Sequence, residues 1–160
     1  MLVVGRRALV DHVIDDLRQF TTSASGGRPD WSAKAPHVEA RDWKAAFRDG
    51  SEVLLAAWRA GGDPSRTVEL PIGTVQASFI ANQQVAELAV HTWDLVTATD
   101  LPVELDPAVA QTALDWARGA LRSEFRGEEG SGKSFGPEVP VPADAPAYDR
   151  LAGFFGRRPG

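Results

Sequence analysis

Apolar residues recur at helical spacing along most of the chain and predict four long helices and one short one. The first spans about residues 6–20, the second about 39–60 and the third about 75–99. The fourth begins at Asp106-Pro107, an N-cap residue followed by proline at the first helical position. A short helix is predicted over 147–155. The apolar face of the first helix consists of Leu9, Val10, Val13, Ile14, Leu17 and Phe20.

Two stretches between the helices follow other patterns. Residues 67–74 alternate and contain Pro-Ile-Gly, which predicts a short extended or hairpin segment. Residues 122–146 are rich in glycine and then proline, which predicts an irregular loop followed by an extended segment. The elements together predict an all-α protein, and its length predicts one domain spanning residues 1–160.

The third helix carries polar residues on an otherwise apolar stripe. Glu87 and His91 are four residues apart and Asp94 lies three further on, so all three share one face. Burying a carboxylate and an imidazole is costly unless they are paired or bound to a metal. Both interpretations stay open at this point, because a short Glu-x-x-x-His spacing is a weak signal. The full stripe reads Ile80, Gln84, Glu87, His91, Leu95 and Ala98, and its apolar ends predict that it faces inward.

His12 lies at the edge of the apolar face of the first helix. Asp16 follows four residues later and could orient its ring. A single histidine at such an edge is more often structural or merely exposed, so spacing alone does not predict a ligand here.

Composition removes several classes of function. The 160 residues carry a net charge of -5, which argues against nucleic acid or an anionic membrane as the main partner. The sequence has no cysteine, which excludes disulfides, thiolate metal sites and a protein thiol nucleophile. Any thiol chemistry would therefore need a small-molecule thiol. No signal peptide and no apolar stretch of about 18 residues is present, so a cytoplasmic location is expected.

Residues Gly127–Ser134 match the phosphate-loop pattern GxxxxGK[ST]. That loop binds phosphate only between a buried strand and a helix, where backbone N–H groups face the ligand. Here a helix is predicted before it, and Phe135-Gly136-Pro137 after it does not open a helix. The sequence predicts a surface loop instead.

Three segments in this order resemble one known family. They are Asp11–Ile14, Glu87–Leu95, and a tail containing Phe135–Val139 and Asp149–Arg157. Together they are similar to the actinobacterial branch of the DinB/YfiT-like metal-dependent superfamily. That branch includes the N-terminal domain of mycothiol-dependent maleylpyruvate isomerase, and the likeness covers nearly the whole chain.

The resemblance implies an up-and-down bundle of the four-helix type that holds one divalent metal. The family ligands fall on His12, Glu87 and His91, and Asp16 and Asp94 become candidates for orienting the imidazoles. Two imidazoles and one carboxylate suit zinc best, and also nickel or iron.

Two departures from the family qualify these expectations. Relatives usually have a helix before the one that bears His12, and here only Met1–Gly5 precede it, so we expect the first family helix to be missing. Either the start is truncated, or a neighbouring helix or a second subunit covers the gap. An uncovered apolar face on the first helix predicts either a homodimer or an unstable protein. The isomerase also has a C-terminal domain that contributes to its active site, and without it maleylpyruvate isomerisation itself is not expected.

Two functions remain open from the sequence. The first is a metal-dependent enzyme that uses a low-molecular-weight thiol such as mycothiol, acting as a transferase or isomerase on a small-molecule substrate. The alternative is a non-catalytic bundle of the same fold that binds metal or no metal at all. A vacant coordination position would favour catalysis, and a fully ligated metal would favour structure. No catalytic residue and no thiol-binding residue is identified.

Overall fold

The computed structural model describes residues 5–33, 35–70, 73–99, 101–128, 130–133 and 135–160. These ranges are predominantly helical, with one small antiparallel sheet, and the predicted all-α class with a short hairpin is confirmed. The α-helices are α1 (Arg6–Ala24), α2 (Trp43–Gly61), α3 (Ala77–Thr99), α4 (Pro107–Ala120) and α5 (Ala147–Phe154). The strands are β1 (Thr67–Leu70) and β2 (Gly73–Gln76), and two 3₁₀ turns lie at Ala40–Asp42 and Ser123–Phe125.

The chain divides into two compact units, one ending at Gln84 and the other beginning at Val85. In the first unit α1 packs against α2. The buried face of α1 confirms the apolar pattern of the sequence, with Leu17 and Phe20 almost fully covered. Gly50 of α2 permits this packing, because a Cβ there would lie 3.1 Å from Cδ1 of Leu17.

Helix α1 is four residues longer than the sequence predicts. The enrichment of residues 21–36 in serine, glycine and proline predicts a linker, yet Thr21 and Thr22 belong to the last turn of α1. The Thr21 hydroxyl donates to the Leu17 carbonyl at 2.7 Å, and the Thr22 hydroxyl donates to the Arg18 carbonyl at 3.1 Å. Hydroxyls that bond back along the helix in this way are compatible with helical geometry. Gly26, with φ of +80°, follows the end of the helix.

The sequence places Trp43, Phe47, Leu54 and Trp58 on one apolar stripe of the second helix, but α2 is less buried than this stripe predicts. Of its apolar residues, Leu54 is buried, but the Phe47 side chain is exposed. The helix proper begins at Trp43, after the 3₁₀ turn, and the Trp43 indole donates to the Val38 carbonyl at 3.0 Å. The pair Gly61-Gly62 predicts the end of this helix, and Gly62, with φ of +65°, follows its last residue.

The predicted hairpin forms and shortens the predicted third helix by two residues. Thr67 pairs with Gln76 and Leu70 pairs with Gly73, so Val75 and Gln76 belong to β2. Helix α3 therefore begins at Ala77. Pro71 and Ile72 lie outside the described residues.

The second unit has a core of small and branched residues from α3, α4 and α5. Asp106 caps α4 as predicted, since its carboxylate accepts from the Ala108 N–H at 2.9 Å. Close packing of the helices is possible because five of the core positions are alanine. The buried cluster contains Ala86, Ala89, Val90, Ala110, Ala113, Leu114, Ala117, Leu151, Phe154 and Phe155.

The segment after α4 is irregular, as predicted. A 3₁₀ turn precedes Gly127, whose N–H donates to the Phe135 carbonyl at 2.9 Å. Among the residues described between Gly127 and Pro146 none is in an α-helix; Glu129 and Ser134 lie outside that set. In its described residues, the loop thus has neither the strand before it nor the helix after it that phosphate binding requires. In the described part of the chain, no helix combines the length and apolar character needed to cross a membrane.

Candidate metal centre

Glu87, His91 and Asp94 lie side by side in α3, in the unit that begins at Val85. Their spacing of four and then three residues puts them on one helix face. His91 is buried, with 8% of its surface exposed, and the two carboxylates are largely covered. Nδ1 of His91 lies 3.1 Å from Oδ2 of Asp94, and Nε2 lies 3.7 Å from Oε2 of Glu87.

The two nitrogens of His91 therefore have different neighbours. An ionised carboxylate only accepts hydrogen bonds, so the contact with Asp94 assigns the proton to Nδ1. In the neutral imidazole the lone pair then belongs to Nε2, on the side of Glu87. The Nε2–Oε2 separation of 3.7 Å is too long for a hydrogen bond. It is shorter than the span of about 4.2 Å that two ligands of one zinc ion can have, so both atoms can reach the same ion.

Asp94 is itself held by a residue from the end of the chain. Nε of Arg157 donates to Oδ1 of Asp94 at 3.1 Å, and Nη2 donates to Oδ2 at 2.7 Å. Burial raises the pKa of Asp94, but hydrogen bonds from His91 and Arg157 outweigh it and leave the pKa below its ordinary value. Asp94 is therefore ionised at neutral pH and accepts from both neighbours.

The end of α5 explains why Arg157 reaches this carboxylate. The Gly156 N–H donates to the Gly153 carbonyl and the Arg157 N–H donates to the Ala152 carbonyl, both at 2.9 Å. This pair of bonds is a Schellman motif, which requires a left-handed residue after the helix. Gly156 supplies it, with φ of +83°. The turn reverses the chain, and the Arg157 side chain meets Asp94.

His12 lies on α1, in the unit that ends at Gln84. Its side chain is half exposed, and its Nε2 lies 3.4 Å from Oδ2 of the buried Asp16. The spacing predicted this neighbour. The adjacent acid, Asp15, is instead paired with Arg18 at 2.6 Å. Asp16 is thus the carboxylate that accompanies His12 on the helix.

His37 has a different setting and gives a comparison for the other two histidines. Its ring is half exposed, and Nδ1 lies 2.9 Å from Oδ2 of Asp11. The hydrogen bond with His37 lowers the pKa of Asp11. The Val38 N–H also donates to Asp11, at 3.0 Å, so this contact holds the segment before α2 against α1.

Comparison with known proteins identifies the family. A family model described as the mycothiol maleylpyruvate isomerase N-terminal domain matches residues 3–96, more than half of the chain. The chain belongs to this family. Two uncharacterized proteins of Mycobacterium tuberculosis, MT0763 of strain CDC 1551 / Oshkosh and Rv0738 of strain ATCC 25618 / H37Rv, are each 33% identical over 151 residues. The alignment covers 93% of this chain and 77% of each relative. No solved structure matches the chain.

The mycothiol maleylpyruvate isomerase N-terminal domain match includes His12, Glu87 and His91 and ends two residues after Asp94. Arg157 lies outside it, and sequence reasoning assigned no role to this residue. One local feature of the sequence points to Arg157. Glycine after the last apolar turn of a helix predicts a left-handed C′ position, and the residue after it is then turned back toward the body of the unit.

Proposed function

We propose that this chain is a divalent-metal-dependent enzyme that uses a low-molecular-weight thiol, acting as a mycothiol-dependent transferase or isomerase. His12, Glu87 and His91 are the proposed metal ligands. The observation that carries the proposal is the arrangement on α3, where Asp94 orients His91 and Nε2 lies 3.7 Å from the Glu87 carboxylate. Membership of a family whose description names mycothiol supports the thiol.

The donor set fits a metal of the zinc type. Nε2 of His91 and a carboxylate oxygen of Glu87 are the two donors from α3, and His12 of α1 is the third. Two neutral imidazoles and one carboxylate make a three-residue set that leaves coordination positions for other molecules. Asp94 beside His91 and Asp16 beside His12 are the carboxylates that would orient the rings.

The chemistry follows from this donor set and from the absence of cysteine. A divalent ion at these residues would supply Lewis acidity that lowers the pKa of a coordinated thiol, so that the thiolate forms at neutral pH. Because the chain has no cysteine, a small molecule must supply that thiol. Within the protein, Asp94 would keep the proton of His91 on Nδ1, so that Nε2 would be the ligating atom.

Metal uptake tests the ligands. Protein stripped with a chelator is titrated with zinc against a chromophoric competitor, and one ion per chain is expected. His91→Ala and Glu87→Gln should each weaken uptake by more than the roughly 10–100-fold that loss of a supporting residue costs. His37→Ala is the matched control and should change nothing, since this third histidine is bound to Asp11. Absence of zinc uptake, or unchanged uptake by His91→Ala, contradicts the proposal.

Thiol binding tests the function beyond the metal. Zinc-loaded protein is titrated calorimetrically with mycothiol and with S-methylated mycothiol. The free thiol should bind with release of a proton, and neither S-methylated mycothiol nor the metal-stripped protein should show that release. Zinc uptake without thiol binding would instead favour the second interpretation, a non-catalytic metal-binding module.

A further inference from the structure

Arg157 and His91 both contact the Asp94 carboxylate. Arg157 donates to both oxygens of Asp94, and His91 shares Oδ2 with it. The side chains of Asp94 and Arg157 are 18% and 19% exposed, so water competes weakly for these bonds. Nη1 of Arg157 donates to the Phe155 carbonyl at 3.0 Å, which fixes the guanidinium at a third point.

This geometry limits the freedom of Asp94. A carboxylate that touched His91 alone could rotate and present either oxygen, or accept a hydrogen bond from water instead. The planar fork of an arginine that bonds both oxygens fixes the plane of the carboxylate. With Arg157 in place, Oδ2 stays 3.1 Å from Nδ1 of His91.

The backbone turn at the end of α5 holds Arg157 itself in place. Its N–H is one of the two hydrogen-bond donors of the Schellman motif, so its Cα cannot shift without breaking that bond. Gly156 is also tightly placed, because a Cβ there would lie 3.1 Å from the Pro137 carbonyl oxygen. The orientation of the carboxylate therefore derives from a rigid helix end.

We infer that Arg157 is a positioning residue, which fixes the Asp94 carboxylate so that His91 keeps its proton on Nδ1 and presents Nε2 toward Glu87. The effect of Arg157 on the His91 tautomer stands on the contacts within one unit. Its effect on metal affinity rests on the proposed function.

A purely structural role for Arg157 makes a different prediction. A residue that only anchors the C-terminal segment to α3 would act like the hydrogen bond from the Trp93 indole to Asp149, at 2.9 Å. That bond also joins α3 to α5 but does not involve His91. Asp149→Ala is therefore the matched variant for anchoring. Arg158→Ala is the matched variant for charge, because Arg158 is the exposed neighbour of Arg157.

The first test is the tautomer of His91 in metal-free protein, measured from imidazole ¹⁵N shifts by two-bond correlation NMR. The chain has three histidines, and His91→Gln assigns the signal. Wild type, Arg158→Ala and Asp149→Ala should show the Nδ1–H form. Arg157→Ala should show a mixture with the Nε2–H form, and Arg157→Lys should lie between, since lysine retains the charge but not the fork. Arg157→Lys also preserves the test if the alanine variant does not fold.

Two results would overturn the inference. One is a wild-type tautomer pattern in Arg157→Ala, or in Arg157→Lys if only that variant folds. The other is an Asp149→Ala spectrum that changes as much as that of Arg157→Ala, which would mean that anchoring alone controls His91.

The second test is zinc affinity in the same variants. Arg157→Ala should bind zinc about 10-fold more weakly, the lower end of the effect of residues that support a ligand. Arg158→Ala and Asp149→Ala should bind like wild type, and equal affinity in Arg157→Ala contradicts the inference. If wild type binds no zinc, the proposed function fails, and the NMR experiment alone decides the role of Arg157.

Discussion

Gly153 in α5 lies directly against Val139, whose N–H donates to the Gly153 carbonyl at 2.9 Å. A Cβ on Gly153 would lie 2.8 Å from the Val139 carbonyl oxygen and would overlap the Val141 side chain. Backbone cannot yield as a flexible side chain can, so Gly153→Ala should destabilise the protein. We expect a loss of about 1–3 kcal/mol in the free energy of unfolding, measured by urea denaturation.

Gly119 is the matched control for this substitution. It also lies in a helix, near the end of α4, but a Cβ there would meet nothing within 4 Å. Gly119→Ala should therefore stabilise the protein by up to about 1 kcal/mol through helix propensity alone. Equal effects of the two substitutions would show that the contact of Gly153 with the extended segment does not constrain the fold.

The elements that the sequence predicts well are those with local causes. The spacing of apolar residues located all five helices, and Asp106-Pro107 located the start of α4. Boundaries failed where a tertiary or side-chain effect decided them. Val75 and Gln76 pair with β1 instead of joining α3, and the Thr21 hydroxyl bonds within α1 instead of starting a linker.

Burial was predicted less well than periodicity. The stripe on α3 was expected to face inward along its whole length, yet Ala98 is exposed while Ile80 and His91 are buried. On α2 the exposed Phe47 departs from its predicted role in the same way. A period identifies which residues share a face, but it does not show how far along the helix a neighbour covers that face.

The contacts of the candidate site also differ in how far the sequence predicts them. The contacts of His91 with Asp94 and of His12 with Asp16 follow from spacings of three and four residues. The contact of Arg157 with Asp94 spans 63 residues and depends on the turn at Gly156. The ligand set, the single domain, the homodimer and the cytoplasmic location remain predictions.

Asp106 should contribute to stability as an N-cap. Its carboxylate accepts from the Ala108 N–H at 2.9 Å, which would otherwise lack a partner in the first turn of α4. Asp106→Ala should reduce the free energy of unfolding by about 1 kcal/mol. Asp106→Asn retains an accepting oxygen and should remain within a few tenths of wild type. A loss of the same size in both variants would point to the charge of Asp106 rather than to the cap.

The substitution Gly156→Ala tests the turn that brings the Arg157 side chain to Asp94. Forcing a Cβ into the left-handed region costs about 1–2 kcal/mol, and the Pro137 carbonyl at 3.1 Å from that Cβ adds to the strain. We expect the midpoint of thermal unfolding to be lower for Gly156→Ala than for wild type. Gly132→Ala serves as a comparison, since Gly132 also has positive φ, at +73°, but lies in an exposed loop with nothing within 4 Å. Its substitution should leave the contact of Arg157 with Asp94 intact and the His91 NMR signal unchanged.

Asp94 should make the stability of the metal-free protein depend on pH below about 4. The folded protein lowers the pKa of Asp94 through His91 and Arg157, against the opposing effect of burial. A carboxylate with a depressed folded pKa stabilises the protein at pH values above its unfolded pKa of about 3.9. That contribution is lost as the pH falls through the folded pKa.

Asp94→Asn cannot titrate in this range and isolates the effect. The difference in free energy of unfolding between wild type and Asp94→Asn should shrink steadily as the pH falls from 4 to 2.5. Urea denaturation at each pH, with a chelator present, measures it. A difference that stays constant down to pH 2.5 would mean that the hydrogen bonds to Asp94 do not favour its ionised form, and the Nδ1–H assignment of His91 would lose its support.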